Sequence, residues 1–230
     1  MKQTWRWFGP NDPISLSDLH MAGVEGIVTA LHDLPPGEIW SSHDIKERRQ
    51  VIESAGFTWD VIESLPVSEA IKTQGPEFRS HIEAYKESLC NVASEGPAVV
   101  CYNFMPILDW TRTTLRTPQP HGGNAMSFDL VDFAAFDLWL LERTGAKEDY
   151  NQETLERAEE QFARMPEERR ADLTKTIVMG LPGANDGWTI DDVRARISTN
   201  DKINSEDIRS NLIDFLWEVA PVAEQLGIRL

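Results

Sequence analysis

The stretch that decides the fold runs from residue 76 to residue 106 and reads "PEFRSHIEAYKESLCNVASEGPAVVCYNFMP". Its first part predicts a helix over residues 76–96, because Pro76 suits the first turn of a helix and Gly96 suits its end. Its second part, residues 97–106, is mostly apolar and predicts a buried strand that begins at consecutive valines. A helix closed by glycine directly before an apolar strand is typical of a parallel βα unit.

The same pattern occurs twice before this stretch, after a first predicted strand. Residues 3–9, 26–35 and 57–66 predict strands, and residues 15–23 and 41–56 predict helices that end at Gly23 and Gly56. Ser42 or Asp44 is the predicted N-cap of the second of these helices. The alternation indicates an α/β fold with a parallel sheet, and both a (β/α) barrel and a doubly wound sheet are candidates. No glycine-rich phosphate-binding motif follows any of the strands, which favours the barrel.

The second half of the chain predicts a mostly helical insertion at about 114–203. Residues 128–145 and 151–170 read as helices, the second amphipathic and heavily charged, and residues 120–124, "PHGGN", read as a loop that is either a lid or a plain insertion. Residues 204–227 predict a long helix with Ser205 as a candidate cap, and Ile228 begins another strand. We therefore expect residues 1–230 to form the amino-terminal portion of one barrel of the TIM, or (β/α)8, type. This portion comprises the first four to five βα units, and the chain ends inside the fifth.

Composition and charge restrict the possible partners. The 230 residues carry a net charge of −16, which argues against binding to nucleic acid or to anionic membranes. Two cysteines, Cys90 and Cys101, do not make a disulfide framework, and we expect both to be buried thiols. The first residues lack a signal-peptide pattern and no apolar run approaches the length of a membrane span, so a cytoplasmic protein is expected.

Polar and aromatic side chains follow the predicted strands at their carboxyl ends, where the site of a parallel α/β fold lies. Arginine suits carboxylate binding because its guanidinium is planar and permanently charged, so Arg6 and Arg112 are the predicted anion-binding groups. Each of these residues also has a structural alternative: a surface arginine, a hydrogen-bonded core histidine, a core tryptophan, or an Asp109–Arg112 ion pair. Glu63 at the end of strand three could cap or pair with a neighbour. The predicted substrate-binding residues are Arg6, Trp7, His32, Asn103, Asp109, Trp110 and Arg112.

Two segments carry a resemblance to a known family. These are "TWRWFGPNDPISLSDLHMAGVEGIVTALHDLPPGEIW" (residues 4–40) and "YNFMPILDWTRT" (residues 102–113). With them, the chain resembles the mannonate dehydratase family over essentially its whole length. The resemblance implies a TIM barrel of the xylose isomerase-like kind and a lyase that converts D-mannonate to 2-keto-3-deoxy-D-gluconate and water in hexuronate (glucuronate) breakdown.

The resemblance also implies a divalent metal, Mn²⁺ or Fe²⁺, which stabilises the enediolate formed when a proton leaves the carbon next to the carboxylate. The family's metal ligands and main catalytic groups lie on later strands, beyond Leu230, so no metal ligand or catalytic residue is assigned in this chain, and we expect it to be inactive alone. The substrate-binding residues above carry over as one wall of the pocket. A homo-oligomer is expected for the full-length parent.

Two other functions remain open. A related barrel enzyme, an isomerase or epimerase of sugars, shares the fold without sharing the reaction. A non-catalytic fragment that pairs with another chain through its open sheet edge is the second alternative.

Overall fold

The computed structural model describes residues 1–108, 110–179, 188–199 and 203–230. Its described part divides into two compact units. Unit 1 comprises residues 1–106 and 203–230, and unit 2 comprises residues 107–108, 110–179 and 188–199.

The strands are β1 (Thr4–Arg6), β2 (Gly26–Thr29), β3 (Thr58–Glu63), β4 (Val100–Cys101), β5 (Thr114–Pro118) and β6 (Asn124–Ser127). The helices are α1 (Leu16–Met21), α2 (Ser42–Ser54), α3 (Glu69–Lys72), α4 (Phe78–Glu95), α5 (Leu130–Trp139), α6 (Gln152–Arg164), α7 (Glu167–Val178), α8 (Ile190–Thr199) and α9 (Ser205–Leu226). A short 3₁₀ helix spans Ala146–Asp149.

Unit 1 contains a parallel sheet whose strands lie in the order β1-β2-β3-β4. Thr4 pairs with Gly26, Ile27 with Trp59, and Ile62 with Val100. A fifth segment continues the sheet beyond β4, because Arg229 forms a parallel bridge with Val99 and accepts a hydrogen bond from the Val100 amide at 2.9 Å. The predicted α/β class, the parallel pairing and the strand at Ile228 are therefore confirmed.

Helices that follow the strands cover the sheet and form the core of unit 1. Side chains that are fully buried come from strands, such as Ile27 and Ile62, and from helices, such as Ile45 and Leu89. Burial of one such side chain stabilises the fold by about 2 kcal/mol. On α9, Phe215 is also fully buried.

Side-chain caps fix where these helices begin. The Ser41 hydroxyl accepts a hydrogen bond from the Asp44 amide and caps α2, and the Asn204 side chain caps α9. The predicted caps of α2, Ser42 or Asp44, were therefore one or three residues too late, and that of α9, Ser205, was one residue too late. These residues already lie in the first turns of their helices, whose free amides are satisfied by the caps.

Unit 2 begins with an antiparallel hairpin of β5 and β6. The Gln119 amide donates to the Gly123 carbonyl at 2.8 Å, so the "PHGGN" segment, which was predicted as a loop, is the turn of this hairpin. Gly122 has φ +88°, a backbone conformation that glycine adopts without strain. The predicted helix over residues 151–170 is in fact two helices, α6 and α7, separated at Met165 and Pro166, because proline lacks the amide that would continue α6.

A buried ion pair stabilises unit 2. Arg143 donates to both carboxylate oxygens of Asp137, at 2.9 and 2.7 Å, and the Tyr150 hydroxyl donates to the same carboxylate at 2.8 Å. Asp137 lies on α5 and is almost fully buried. A buried carboxylate needs these partners because its charge is otherwise costly to remove from water.

Two features of the whole chain complete the description. Within the described ranges, no helix is both long and apolar enough to span a bilayer.

Cys90 is exposed on α4 and Cys101 is half-buried on β4, and both are free thiols, so the prediction that both are buried was wrong for Cys90. The prediction of a single barrel domain with an insertion at about 114–203 stays a prediction.

Candidate functional site

The candidate site lies at the carboxyl ends of the parallel strands of unit 1. Arg6, the last residue of β1, and Glu63, the last residue of β3, form a salt bridge of 3.0 Å between Nη1 and Oε1. Strand β2 lies between β1 and β3, so the pair passes over the end of β2. The two side chains are 23% and 24% exposed, which leaves part of each accessible to a ligand.

The guanidinium of Arg6 has a second contact and an unused donor. Its Cζ lies 5.0 Å from the centre of the Phe8 ring, in a cation–π arrangement. Its Nε is buried and has no hydrogen-bond partner among the residues that the structure describes. Arg6 is therefore held in place by Glu63 and Phe8 and still offers a donor.

His32 follows β2 and lies beside the same cluster. Its ring centre is 5.8 Å from that of Phe8. Both ring nitrogens are buried and unpartnered within the described part of the chain. Burial, together with the positive charges of Arg48 and Arg6, lowers the pKa of His32 from 6.5 to about 4. The imidazole is therefore neutral at pH 7, with one nitrogen that donates and one that accepts.

Neutral groups continue the cluster at the ends of β3 and β4. The Asn103 amide donates to the Ser64 hydroxyl at 3.2 Å, and both residues are half-buried. Burial raises the pKa of the Cys101 thiol, and the nearby Glu63 carboxylate raises it further. The thiol therefore stays protonated, and it adds no charge to this end of the sheet.

Arg48 on α2 lies next to the site and contacts residues that follow β2. Its guanidinium is 9% exposed, donates to the Ala30 carbonyl at 2.8 Å, and lies 3.9 Å from the Asp33 carboxylate. A Cβ atom at Gly9 would come within 2.9 Å of Arg48 Nη1, and Gly9 has φ +90°, so a larger residue would disturb this contact. Arg48 was not among the predicted site residues, because it lies in the charged run "KERRQ", which resembles an ordinary solvated helix face.

The other predicted residues of unit 1 occupy different environments. Trp7 is 3% exposed and packs in the core, where Arg48 lies 5.7 Å from its ring, so it supports the strand ends from within. Asn103 lies in the cluster with Ser64, as expected from its position after strand four. Their roles in substrate binding stay predictions.

Trp110 and Arg112 belong to unit 2, and Asp109 lies outside the described residues. Trp110 is 50% exposed, whereas Arg112 is 4% exposed. The guanidinium of Arg112 donates to the carbonyls of Trp110 at 3.1 Å and Met179 at 3.0 Å. Arg112 thus has backbone partners within unit 2, and its predicted role as an anion-binding group stays a prediction.

The described residues do not fit a metal site. Across residues 1–108, 110–179, 188–199 and 203–230, no group of three or more His, Cys, Asp or Glu side chains lies close enough to hold a metal ion. The strand-end cluster contains a single histidine, whose neighbours Arg6 and Arg48 are cations. Two cations beside one imidazole disfavour a divalent ion there.

The strand-end cluster offers hydrogen-bonding groups to a polar ligand and carries no net charge. Arg6 and Glu63 neutralise each other, His32 is neutral, and Asn103 and Ser64 carry no charge. Their donors and acceptors lie at the carboxyl ends of the strands, where ligands of parallel α/β folds bind. The arrangement suits recognition and orientation of a small polar molecule.

Known proteins resemble the chain over its whole length. A family model described as D-mannonate dehydratase (UxuA) matches residues 1–230. Mannonate dehydratase of Rhizobium meliloti and mannonate dehydratase 1 of Agrobacterium fabrum are each 48% identical over the whole chain. Mannonate dehydratase of Chromohalobacter salexigens is 49% identical. The chain spans 57%, 57% and 59% of the length of these three relatives.

A solved structure matches the fold. The crystal structure of mannonate dehydratase from Streptococcus suis serotype 2 superposes with a TM-score of 0.68 at 31% identity, covering 100% of this chain and 52% of that one. This match and the parallel sheet of unit 1 confirm the predicted fold class, a partial barrel of the TIM type. The family model, which extends over every residue, confirms the resemblance. The chain belongs to the D-mannonate dehydratase (UxuA) family.

Proposed function

We propose that this chain supplies part of the substrate site of a hydro-lyase that converts D-mannonate to 2-keto-3-deoxy-D-gluconate and water. The family match over residues 1–230 supports the reaction, and the strand-end cluster supports the location of the site. The observation that carries the proposal is the set of buried polar atoms without partners in the described ranges, Arg6 Nε and both nitrogens of His32. Such atoms cost free energy unless a ligand or water satisfies them.

The role of this chain in the reaction is to bind and orient the sugar acid. Dehydration removes the proton on the carbon next to the carboxylate and the hydroxyl on the following carbon. The substrate must therefore be held in one orientation relative to the acid and the base. Arg6, Glu63, His32 and Asn103 provide fixed hydrogen-bonding groups at, or shortly after, the carboxyl ends of the four strands β1 to β4. A rigid sheet holds these groups more precisely than a mobile loop.

The same proposal includes the features that the resemblance implies. These are dependence on Mn²⁺ or Fe²⁺, a place in hexuronate breakdown, a cytoplasmic location and a homo-oligomeric parent. Because the described residues do not fit a metal site, the roles that we propose for this chain are binding and orientation of the substrate. Metal dependence is instead a property to be measured on the larger protein.

A chimera tests the proposed function. In it, the 230 residues replace the part of the Rhizobium meliloti mannonate dehydratase that they match. With D-mannonate and Mn²⁺ we expect formation of 2-keto-3-deoxy-D-gluconate, and loss of the activity after treatment with a chelator. The 230-residue chain alone is the control and is expected to be inactive. A folded chimera that isomerises aldoses and leaves D-mannonate unchanged would show that the related isomerase is the correct function.

A further inference from the structure

The charges of the strand-end cluster indicate which part of a sugar acid it binds. Arginine is the residue expected to bind the carboxylate, but Arg6 is already paired with a carboxylate, that of Glu63, at 3.0 Å. A second carboxylate at Arg6 would place two negative charges close together, which is unfavourable in a partly buried position. The arrangement therefore disfavours a substrate carboxylate at this point.

Glu63 instead offers an acceptor. The salt bridge uses Oε1, and a carboxylate has a second oxygen with further lone pairs. Glu63 is about a quarter exposed, so this acceptor is within reach of a ligand. A hydroxyl group can donate to the carboxylate and at the same time accept from a guanidinium, which no carboxylate can do.

His32 also favours a hydroxyl group over a carboxylate. Four charged groups act on its ring: Arg48 and Arg6 disfavour its protonation, and Asp33 and Asp12 favour it. Because burial and the two arginines prevail, the ring is neutral and presents one donor and one acceptor. A hydroxyl group, which both donates and accepts, satisfies such a ring better than an acceptor-only carboxylate.

The two remaining members of the strand-end cluster, Ser64 and Asn103, are neutral. The Asn103 amide carries an oxygen acceptor and a second N–H, besides the N–H given to Ser64. Together, the five residues offer both donors and acceptors and carry no net charge. Sugar hydroxyl groups are the part of a sugar acid that matches these groups.

We propose that Arg6, His32, Glu63, Ser64 and Asn103 form a subsite for the hydroxyl groups of the sugar acid, and that Glu63 determines this specificity by neutralising Arg6. The substrate carboxylate then binds elsewhere in the pocket. The inference rests on the proposed function for the identity of the ligand, but the preference for hydroxyl groups follows from the charges alone.

Binding of three probes to the 230-residue chain, measured by ligand-observed NMR, tests this subsite. D-Mannonate has hydroxyl groups and a carboxylate, D-mannitol has hydroxyl groups only, and acetate has a carboxylate only. We expect D-mannitol to bind within a few-fold of the affinity of D-mannonate, and acetate not to bind. Failure of D-mannitol to bind overturns the proposal, whether or not D-mannonate binds.

The Glu63→Gln variant separates the two possibilities by the direction of its effect. If Glu63 accepts from a hydroxyl group, the variant binds D-mannitol about tenfold more weakly, the usual loss for a hydrogen bond to a charged group. If Arg6 is a carboxylate site that Glu63 obstructs, the variant instead binds acetate more tightly, and the proposal is wrong. Glu53→Gln is the matched control, because Glu53 also pairs with an arginine, Arg49, but on an exposed part of α2.

A second variant and a comparison with the chimera distinguish the remaining outcomes. If Glu63→Gln does not fold by circular dichroism, Asn103→Ala takes its place and is expected to weaken D-mannitol binding severalfold; unchanged D-mannitol binding in it overturns the subsite. The test is also independent of catalysis. A chain that binds D-mannitol while the chimera fails to dehydrate D-mannonate retains the subsite and loses the proposed function, and the reverse result loses only the subsite.

Discussion

Arg6 and Glu63 form a salt bridge of 3.0 Å that passes over the end of the strand between their own strands. The pair joins β1 to β3 without a backbone hydrogen bond between them, and it fixes the guanidinium beside Phe8 and His32. The guanidinium that we propose as part of the substrate site is therefore already neutralised by Glu63.

Replacement of Arg6 is expected to lower the catalytic efficiency of the chimera strongly, although the Arg6 side chain is partly exposed. In Arg6→Ala, kcat/KM for D-mannonate should fall about ten- to a hundredfold, because a charged hydrogen-bonding group is lost and Glu63 is left unpaired. Arg6→Lys should recover only part of this loss, since an ammonium group lacks the planar fork of donors. Arg79→Ala, which removes an exposed arginine that also pairs with a glutamate, is the control and should change kcat/KM less than twofold.

His32 is expected to make stability fall in mild acid. Its pKa is lowered to about 4 in the folded chain and is 6.5 when unfolded, so the unfolded chain binds the proton first as the pH falls. The stabilisation of the folded chain by neutral His32 is fully present above pH 6.5 and is lost as the pH falls from 6.5 to about 4. Because the side chain is partly exposed, we expect a loss of about 1 to 2 kcal/mol between pH 8 and pH 5.

Urea unfolding at both pH values, compared between the wild type and His32→Gln, measures this contribution. The variant keeps polar atoms at the position but does not titrate, so its stability should fall less over the same interval. An equal fall in both proteins would show that His32 is not held neutral in the folded chain.

Phe215 on α9 is expected to be essential for unit 1. Its ring lies 5.1 Å from that of Tyr85, 5.6 Å from Tyr102 and 5.7 Å from Phe104. Phe215→Ala should lower the free energy of unfolding by about 3 to 5 kcal/mol, because it leaves a cavity among these rings. Trp217→Ala on the same helix is the control: Trp217 is 76% exposed, and its removal should cost less than about 0.5 kcal/mol.

Asp137 is expected to stabilise unit 2 by its partners rather than by its charge alone. Asp137→Asn leaves Arg143 and Tyr150 with weaker acceptors, and we expect it to lower the free energy of unfolding by about 2 kcal/mol. Asp149→Asn removes the charge of the exposed second partner of Arg143 and should cost less than about 0.5 kcal/mol. Equal effects of the two substitutions in thermal unfolding would mean that burial of Asp137 is unimportant.

Much of unit 1 was predictable because its signals are local. Glycines at 23, 56 and 96 end helices before strands, and the strands lie where apolar residues concentrate. The short helix α3 was missed, since four residues give no periodicity and its cap, Ser68, lies in a segment that reads as a loop. The hairpin of β5 and β6 was missed because its exposed strands lack the alternation of a half-buried sheet.

The place of the candidate residues in the fold was predictable, but their contacts were not. The rule that parallel strands present their site at the carboxyl ends selected Arg6, His32 and Asn103 from the sequence alone. The pairing of Arg6 with Glu63, 57 residues away, depends on the strand order, which no local pattern contains. Arg48 was missed for the same reason, because a buried arginine on a charged helix is distinguished only by what packs over it.

The most direct measurement is a crystal structure of the chimera with D-mannonate bound under conditions that prevent turnover. We predict a sugar hydroxyl within hydrogen-bond distance of the Glu63 carboxylate, with the Arg6–Glu63 salt bridge intact and the substrate carboxylate bound elsewhere. A structure in which the substrate carboxylate lies on Arg6 and Glu63 has turned away, or in which the cluster contacts no part of D-mannonate, would contradict this prediction.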